Sequence, residues 1–141
     1  MISTVAVGTD GSATASKAVA EAAEIARHLG AKLVLLSAFQ GSPGPDADRG
    51  QDIELKWATN SAARVKSILD RTEAGLSREG VECETRAEQG DPVDVLVRLA
   101  AECDADLLVI GNKGMKRRVL GSVPNGITHK ADCSVLVVKT T

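Results

Sequence analysis

Three glycines in the C-terminal part of the chain are spaced as in a phosphate-binding loop. The sequence reads Gly111-Asn112-Lys113-Gly114, then six residues, then Gly121-Ser122 at the start of a predicted helix. Glycines let the backbone turn its N–H groups toward an anion, and the positive end of a helix dipole attracts negative charge. Neither GxxxxGK[ST] nor GxGxxG occurs here. Either the segment binds a phosphate group through its backbone N–H groups, or its glycines only make tight turns.

A carboxylate lies in a second glycine-containing turn, Gly8-Thr9-Asp10-Gly11-Ser12. Asp10 directly follows a predicted strand. Its oxygens could accept hydrogen bonds from ribose hydroxyls, or hold Mg²⁺ together with nucleotide phosphates. Asp10 or Ser12 could instead cap the helix that follows. Ser122 has two compatible roles, as a helix cap and as a phosphate ligand.

Positive charge is concentrated around the C-terminal glycines. From Leu107 to Ala131 there is no Asp or Glu, and the basic residues there are Lys113, Lys116, Arg117, Arg118 and Lys130. The net charge of the whole chain is −2, so the remainder is acidic. This distribution favours one local anion site over a general surface for polyanions. A basic turn can also be only a solvated surface.

Other catalytic and metal chemistry has little support in the sequence. His28 and His129 are isolated on predicted helices, without partners at zinc-ligand spacing, and are interpreted as surface histidines. Cys83, Cys103 and Cys133 fit neither a disulfide framework nor a zinc site, and are predicted to be reduced, mostly buried thiols. No GxSxG turn and no nucleophile with its base can be identified. We therefore expect no catalytic residues and at most slow hydrolysis of a bound nucleotide.

Apolar runs and amphipathic repeats alternate along the chain. They predict strands at 4–7, 33–39, 81–87, 107–110 and 135–138, and helices at 15–29, 55–76, 92–103 and 122–130. Gly30 is the expected C-cap of the first helix. The Gly- and Pro-rich residues 40–50 are predicted to form a mobile surface loop.

Strands that alternate with helices indicate an α/β fold, an open parallel five-stranded sheet with helices on both faces. We expect the strand order 3-2-1-4-5. The chain then reverses direction across the sheet between strands 1 and 4, and ligands of such sheets bind at the carboxyl ends of those strands. These ends carry the two glycine-containing turns, so topology and composition indicate the same site.

Length and composition exclude several classes of protein. The 141 residues suit a single domain, and 43% hydrophobic with 26% charged residues is a globular balance. Since the chain has one Trp, one Phe and no Tyr, and is net acidic, no nucleic-acid partner is expected. No apolar run approaches the roughly 20 residues of a membrane span, and the N-terminus has no signal-peptide features. A cytoplasmic protein without a membrane partner is expected.

Three segments together carry a family resemblance: the first strand with Gly8-Thr9-Asp10-Gly11-Ser12, the G-x2-G-x6-G-S segment, and Cys133-Ser134-Val135-Leu136-Val137-Val138. The whole chain resembles the universal stress protein family, in its nucleotide-binding branch. The resemblance implies a Rossmann-like five-stranded sheet and a homodimer. It also implies that Gly8, Thr9 and Asp10 line the adenosine, with Ala38 near the adenine. The residues implied around ribose and phosphates are Gly111, Asn112, Lys113, Gly114, Gly121, Ser122 and Val123.

One spacing departs from the family pattern, which is G-x2-G-x9-G-[S/T]. Here only six residues separate Gly114 from Gly121, so the loop over the outer phosphates is three residues shorter. The glycine and serine at the helix start are intact. AMP or cyclic AMP therefore becomes a serious alternative to ATP, although Lys116, Arg117 and Arg118 could compensate by charge.

The expected function is a stress-response sensor or regulator that binds ATP, AMP or cyclic AMP. One alternative is a ligand-free dimeric interaction module of the same family. A less favoured one is an ATP-using enzyme, whose SGGxDS-like run is missing from the first turn. A homodimer is expected through Val135–Val138, because an edge strand that is continuously apolar should be covered by a partner.

Overall fold

The structure, a computed structural model, describes residues 1–40, 61–112 and 120–139. Within these ranges five strands alternate with four helices. The strands are β1 (Thr4–Gly8), β2 (Lys32–Phe39), β3 (Glu84–Gln89), β4 (Leu107–Asn112) and β5 (Ser134–Lys139). The helices are α1 (Ala13–Leu29), α2 (Ala62–Arg78), α3 (Pro92–Glu102) and α4 (Ser122–Lys130).

The strands form one parallel sheet in the order β3-β2-β1-β4-β5, which confirms the predicted order and both predicted edges. The central strand β1 pairs with β2 as far as Gly8–Leu36, and with β4 as far as Val7–Val109. The chain therefore reverses its direction across the sheet between β1 and β4. This is the place where an open α/β sheet binds its ligands.

Helices cover both faces of the sheet. On one face, which we call the α1/α2 face, α1 and α2 pack on side chains such as Val5 and Leu35. On the other, the α3/α4 face, α3 and α4 pack on side chains such as Ala6 and Leu36. Because successive strand residues point to opposite faces, the alternation also assigns each residue at a strand end to one face.

The helix ends follow the expected capping rules. Ser12 caps α1 by accepting a hydrogen bond from Ala15 N at 3.1 Å, and Gly30 ends it in the left-handed conformation, with φ 63°. Ser61 caps α2. The first part of the predicted second helix, 55–60, and residues 41–50 of the predicted loop lie outside the described residues. None of the helices in the described ranges is long and apolar enough to cross a membrane.

Three details of the sequence prediction are wrong. β3 begins at Glu84 and not at Val81, because Val81 N donates to Leu76 O at 2.9 Å and closes the end of α2. β4 continues through Gly111 and Asn112, because both residues pair with β5. The cysteines are free, as predicted, but all three are only half-buried.

Gly111 allows α1 to pack closely on β4, so we expect Gly111→Ala to destabilise the protein. A Cβ atom on Gly111 would lie 2.9 Å from both Thr14 Cγ2 and Thr14 O. The backbone oxygen cannot move aside without a shift of the helix, so the substitution should cost about 1–3 kcal/mol of unfolding free energy. The measurement is the midpoint of urea unfolding.

Gly75→Ala is the matched control. Within the described part of the chain, its Cβ atom would have only Arg78 Nη2 nearby, at 4.0 Å. Because alanine is favoured over glycine inside a helix, this variant should gain about 0.5–1 kcal/mol. If the two variants unfold at the same midpoint, Gly111 is not required for the close contact of α1 with β4.

Candidate functional site

The carboxyl ends of β1 and β4 lie side by side and carry two buried polar side chains. The last β1–β4 pair is Val7–Val109, and Asp10 and Asn112 each follow that pair by three residues along the chain. Asp10 is 3% exposed and Asn112 is 1% exposed. Buried polar groups need hydrogen-bond partners, from the protein or from a ligand. This edge of the sheet is therefore the candidate site.

The turn between β1 and α1 holds the Asp10 carboxylate in place. Asp10 Oδ1 accepts a hydrogen bond from Ser12 N at 2.9 Å, and Thr9 Oγ1 accepts one from Gly11 N at 3.2 Å. Gly11 has a φ of 83°, the left-handed conformation that this turn requires. The helix cap is Ser12 and not Asp10. Among the described residues, Ser12 supplies the only hydrogen bond to this carboxylate, and it goes to Oδ1.

Ser37 of β2 holds the same turn, and it was not among the predicted site residues. Its Oγ donates to Thr9 O at 2.7 Å, and the side chain is fully buried. Thr9 N in turn donates to Leu36 O at 2.9 Å. The sequence signal was a serine inside an otherwise apolar strand, since a buried hydroxyl must find a partner. The partner itself could not be read from the sequence.

On the other side of the site, Asn112 holds the start of α4. Asn112 Oδ1 accepts a hydrogen bond from Gly121 N at 2.9 Å, across nine positions of the chain. Gly121 is the N-cap residue of α4, and not Ser122 as predicted, and no side chain among the described residues makes a capping hydrogen bond to this helix. An uncapped helix N-terminus offers backbone N–H groups and a favourable dipole to an anion. The start of α4 is therefore a candidate site for one phosphate group.

Several predicted site residues lie on the α3/α4 face. Ala38 and Val123 are buried in the core cluster of that face. Strand alternation places Asn112 on it as well. A Cβ atom on Gly8 would lie 3.0 Å from Leu96 Cδ1, so glycine here lets α3 pack closely on β1. The fold thus brings these four predicted residues to the face on which α4 begins.

Thr9 and Gly111 belong to the α1/α2 face. Thr9 is 2% exposed and lines a groove of about 610 Å³ between α1 and α2. Gly111 faces Thr14 of α1. A contact of either residue with a ligand on the α3/α4 face would have to come from its backbone. Other predicted residues lie outside the described residues: Lys113, Gly114, Lys116, Arg117 and Arg118.

The site offers a metal ion one carboxylate, that of Asp10. In the part of the chain that the structure describes, no three His, Cys, Asp or Glu residues come together to hold a metal. Mg²⁺ binds through a few protein oxygens when phosphates and water supply the other ligands. The Asp10 carboxylate therefore fits Mg²⁺ only as a partner of nucleotide phosphates.

The histidines and cysteines lie outside the site. His28 and His129 are exposed on α1 and α4, as predicted. Burial raises the pKa of each of the three cysteine thiols, and it is the largest of the causes that act on each pKa. A raised pKa keeps a thiol protonated at neutral pH, and the protonated form is a poor nucleophile.

Comparison with known proteins agrees with this architecture. The sequence pattern of the universal stress protein family matches residues 1–139. A universal stress protein of Mycobacterium tuberculosis is 41% identical, over 98% of this chain and 97% of its own. The structure of a universal stress protein in complex with cAMP is 39% identical, with a TM-score of 0.76 over 99% of both chains. A universal stress protein of Archaeoglobus fulgidus in complex with dAMP is 26% identical, with a TM-score of 0.68 over 99% of this chain and 98% of that one. The chain belongs to the universal stress protein family.

Proposed function

We propose that the protein is a cytoplasmic sensor or regulator of the stress response that binds an adenine nucleotide at the carboxyl ends of β1 and β4. The observation that carries the proposal is the buried Asp10 carboxylate at the end of β1, together with the start of α4, which Asn112 holds at the end of β4. A carboxylate at this place suits the hydroxyl groups of a ribose, and a helix start suits a phosphate. The complexes of two relatives with cAMP and dAMP support this assignment.

In the proposed complex each end of the nucleotide has its own group of residues. The adenosine lies along Gly8, Thr9 and Asp10, and the fully buried Ala38 keeps the wall behind the adenine small. The phosphate lies at the N-terminus of α4. The residues proposed around ribose and phosphate are Gly111, Lys113, Gly114, Lys116, Gly121, Ser122 and Val123, with Asn112 behind them as the acceptor of the Gly121 N–H.

A nucleotide with one phosphate group is favoured over ATP. Ser12, Ser61 and Asp91 cap the other three described helices, so among these four helices only α4 lacks a side-chain cap. The relatives with cAMP and dAMP each hold a nucleotide with one phosphate. The short spacing between Gly114 and Gly121 favours the same class. ATP with Mg²⁺ at Asp10 is the second candidate.

The small molecule that copurifies with the protein tests this assignment. The protein is purified without added nucleotide and denatured, and the released molecule is identified by mass spectrometry. AMP or cyclic AMP is the expected result, and ATP would favour the second candidate. A molecule of another chemical class would contradict the proposal.

Binding without rapid turnover is the proposed mode of action. The cysteine thiols have raised pKa values, which keep them protonated and poorly nucleophilic at neutral pH. Phosphate release from ATP should stay below about one per second, the lower end of ordinary enzymatic turnover. A coupled assay for released phosphate measures this rate. A faster rate would favour the ATP-using enzyme.

We also propose a homodimer through β5. This strand is an edge of the sheet, and its four central residues, Val135–Val138, are apolar and half-buried. An antiparallel β5 from a second chain would satisfy the backbone groups of this edge. Val137→Lys should then shift the protein toward monomer in light scattering at tens of micromolar.

The matched control for the dimer is Gln89→Lys, an exposed position on the opposite edge strand β3. This variant should scatter light as the unmodified protein does. A monomeric unmodified protein at the same concentration would contradict a dimer through β5.

A further inference from the structure

Asn112 joins two elements that the chain itself connects only through residues 113–121. The residue ends β4, where it pairs with Lys139 of β5, and its side chain is 1% exposed. Its Oδ1 accepts the hydrogen bond from Gly121 N, at 2.9 Å. The sheet therefore fixes the position of Asn112, and Asn112 fixes Gly121, the residue directly before α4.

This contact differs from the caps of the other described helices. Ser12, Ser61 and Asp91 each precede their helix directly, and each accepts a hydrogen bond from an N–H group of the first turn. Asn112 instead accepts the N–H of Gly121, the N-cap residue itself. Asn112 thus holds the start of the helix through Gly121 and does not cap the first turn. The N–H groups of that first turn are the ones that an anion would use.

The glycine at position 121 is explained by the same contact. Gly121 has φ −60° and ψ 162°, a conformation open to any residue, so its backbone does not demand glycine. A Cβ atom there would lie 3.1 Å from Asn112 Oδ1 and 3.5 Å from Pro124 Cδ, so among the described residues Asn112 is the nearest neighbour. A side chain at 121 would therefore push against the Asn112 oxygen. A substitution of Asn112 or of Gly121 should therefore disturb the hydrogen bond between them.

We propose that Asn112 is a positioning residue, which holds the N-terminus of α4 where it binds the phosphate group and does not itself contact the phosphate. The proposal rests on the proposed nucleotide site and gives one of its residues an indirect role. The adenosine end is held independently, since Ser37 fixes the turn that carries Asp10. Loss of the Asn112 hydrogen bond should therefore reduce the part of the binding free energy that comes from the phosphate, and leave the part that comes from adenosine unchanged.

The first test compares adenosine with AMP by titration calorimetry. The dissociation constant of adenosine divided by that of AMP measures what the phosphate contributes to binding. In Asn112→Ala this ratio should fall about tenfold, the effect of one hydrogen bond of about 1.4 kcal/mol, with adenosine affinity within about twofold of the unmodified protein. Ser37→Ala, the control, should weaken both ligands equally and leave the ratio unchanged. Equal weakening of both ligands in Asn112→Ala would overturn the proposal.

The second test measures amide hydrogen exchange at Gly121 without any ligand. Asn112→Ala and Gly121→Ala should each speed this exchange about tenfold, since each disrupts the same hydrogen bond. Asn112→Asp keeps an acceptor oxygen in the same place and should retain the slow exchange. In the double variant Asn112→Ala, Gly121→Ala the exchange should be no faster than in Asn112→Ala. Unchanged exchange in Asn112→Ala, or additive effects in the double variant, would overturn the proposal.

The two measurements separate the positioning role from the proposed function. If the unmodified protein binds neither adenosine nor AMP, both the proposed function and the phosphate-positioning role are wrong, even with a protected Gly121 amide. If AMP binds but the Gly121 amide is unprotected, only the role of Asn112 is wrong.

Discussion

Gly121→Val should abolish nucleotide binding and leave the protein folded. The Cβ atom would already lie 3.1 Å from Asn112 Oδ1, and the two methyl groups would extend from the residue that begins α4. They would occupy the space in which a phosphate approaches the backbone. Binding of AMP should become undetectable at millimolar concentration, a free energy weaker than about −4 kcal/mol. Calorimetry measures the loss, and circular dichroism during urea unfolding reports the fold.

The control for this variant is the same substitution at Gly75, on α2, where a Cβ atom has only Arg78 Nη2 nearby, at 4.0 Å. Gly75→Val should bind AMP as the unmodified protein does. The fold should survive in Gly121→Val, because changes at an N-cap cost only about 0.5–2 kcal/mol. Unchanged affinity in Gly121→Val would place the nucleotide elsewhere on the protein.

Asp10→Asn should weaken adenosine and AMP by the same factor, about 10–100-fold, the range for hydrogen bonds to a charged group. Asparagine keeps the acceptor for Ser12 N but replaces the second carboxylate oxygen with an N–H₂ group. Stability in urea should not fall, because the substitution removes a buried charge that has one hydrogen bond from the described residues. Calorimetry and urea unfolding of the same sample measure both effects.

Asp106 provides the matched carboxylate at the opposite end of the sheet. It accepts hydrogen bonds from Ser3 N at 2.8 Å and from Thr4 N at 3.0 Å, and these lower its pKa. A lowered pKa in the folded protein stabilises it above the ordinary carboxyl pKa, and that stabilisation disappears as the pH falls through the lowered value. Asp106→Asn should remove this pH-dependent stabilisation without changing AMP affinity. A loss of AMP affinity as large as in Asp10→Asn would show that Asp10 has no special role.

The fold could be predicted from the sequence because its signals are local and repeated. Apolar strands alternate with amphipathic helices, and the known handedness of crossover connections leaves few possible strand orders. The place of the candidate site followed from the strand order. Both glycine-containing turns follow neighbouring parallel strands, β1 and β4, so they had to lie at the same end of the sheet. The predicted bounds of an element were wrong where two neighbouring elements could use the same backbone group. Val81 N was available to a strand, but it closes the end of α2.

The details of the site depend on contacts between distant residues, which local patterns do not contain. The bond of Ser37 to Thr9 spans 28 positions, and that of Asn112 to Gly121 spans nine. The packing of Thr14 against Gly111 likewise depends on the angle between α1 and β4. A sequence pattern can show that a serine, an asparagine or a glycine is unusual at its position. Only the register of the sheet shows what it contacts.

Titration calorimetry of the unmodified protein with adenosine, AMP, cyclic AMP and ATP tests nucleotide binding most directly, with GMP as the control for the base. We expect at least one of the adenine nucleotides to bind with a dissociation constant below 1 mM, tighter than about −4 kcal/mol, with AMP or cyclic AMP ahead of ATP. Binding of the phosphate-bearing ligands should exceed that of adenosine, since the start of α4 receives the phosphate. If no adenine nucleotide binds at millimolar concentration, the buried Asp10 and the uncapped helix are not a nucleotide site.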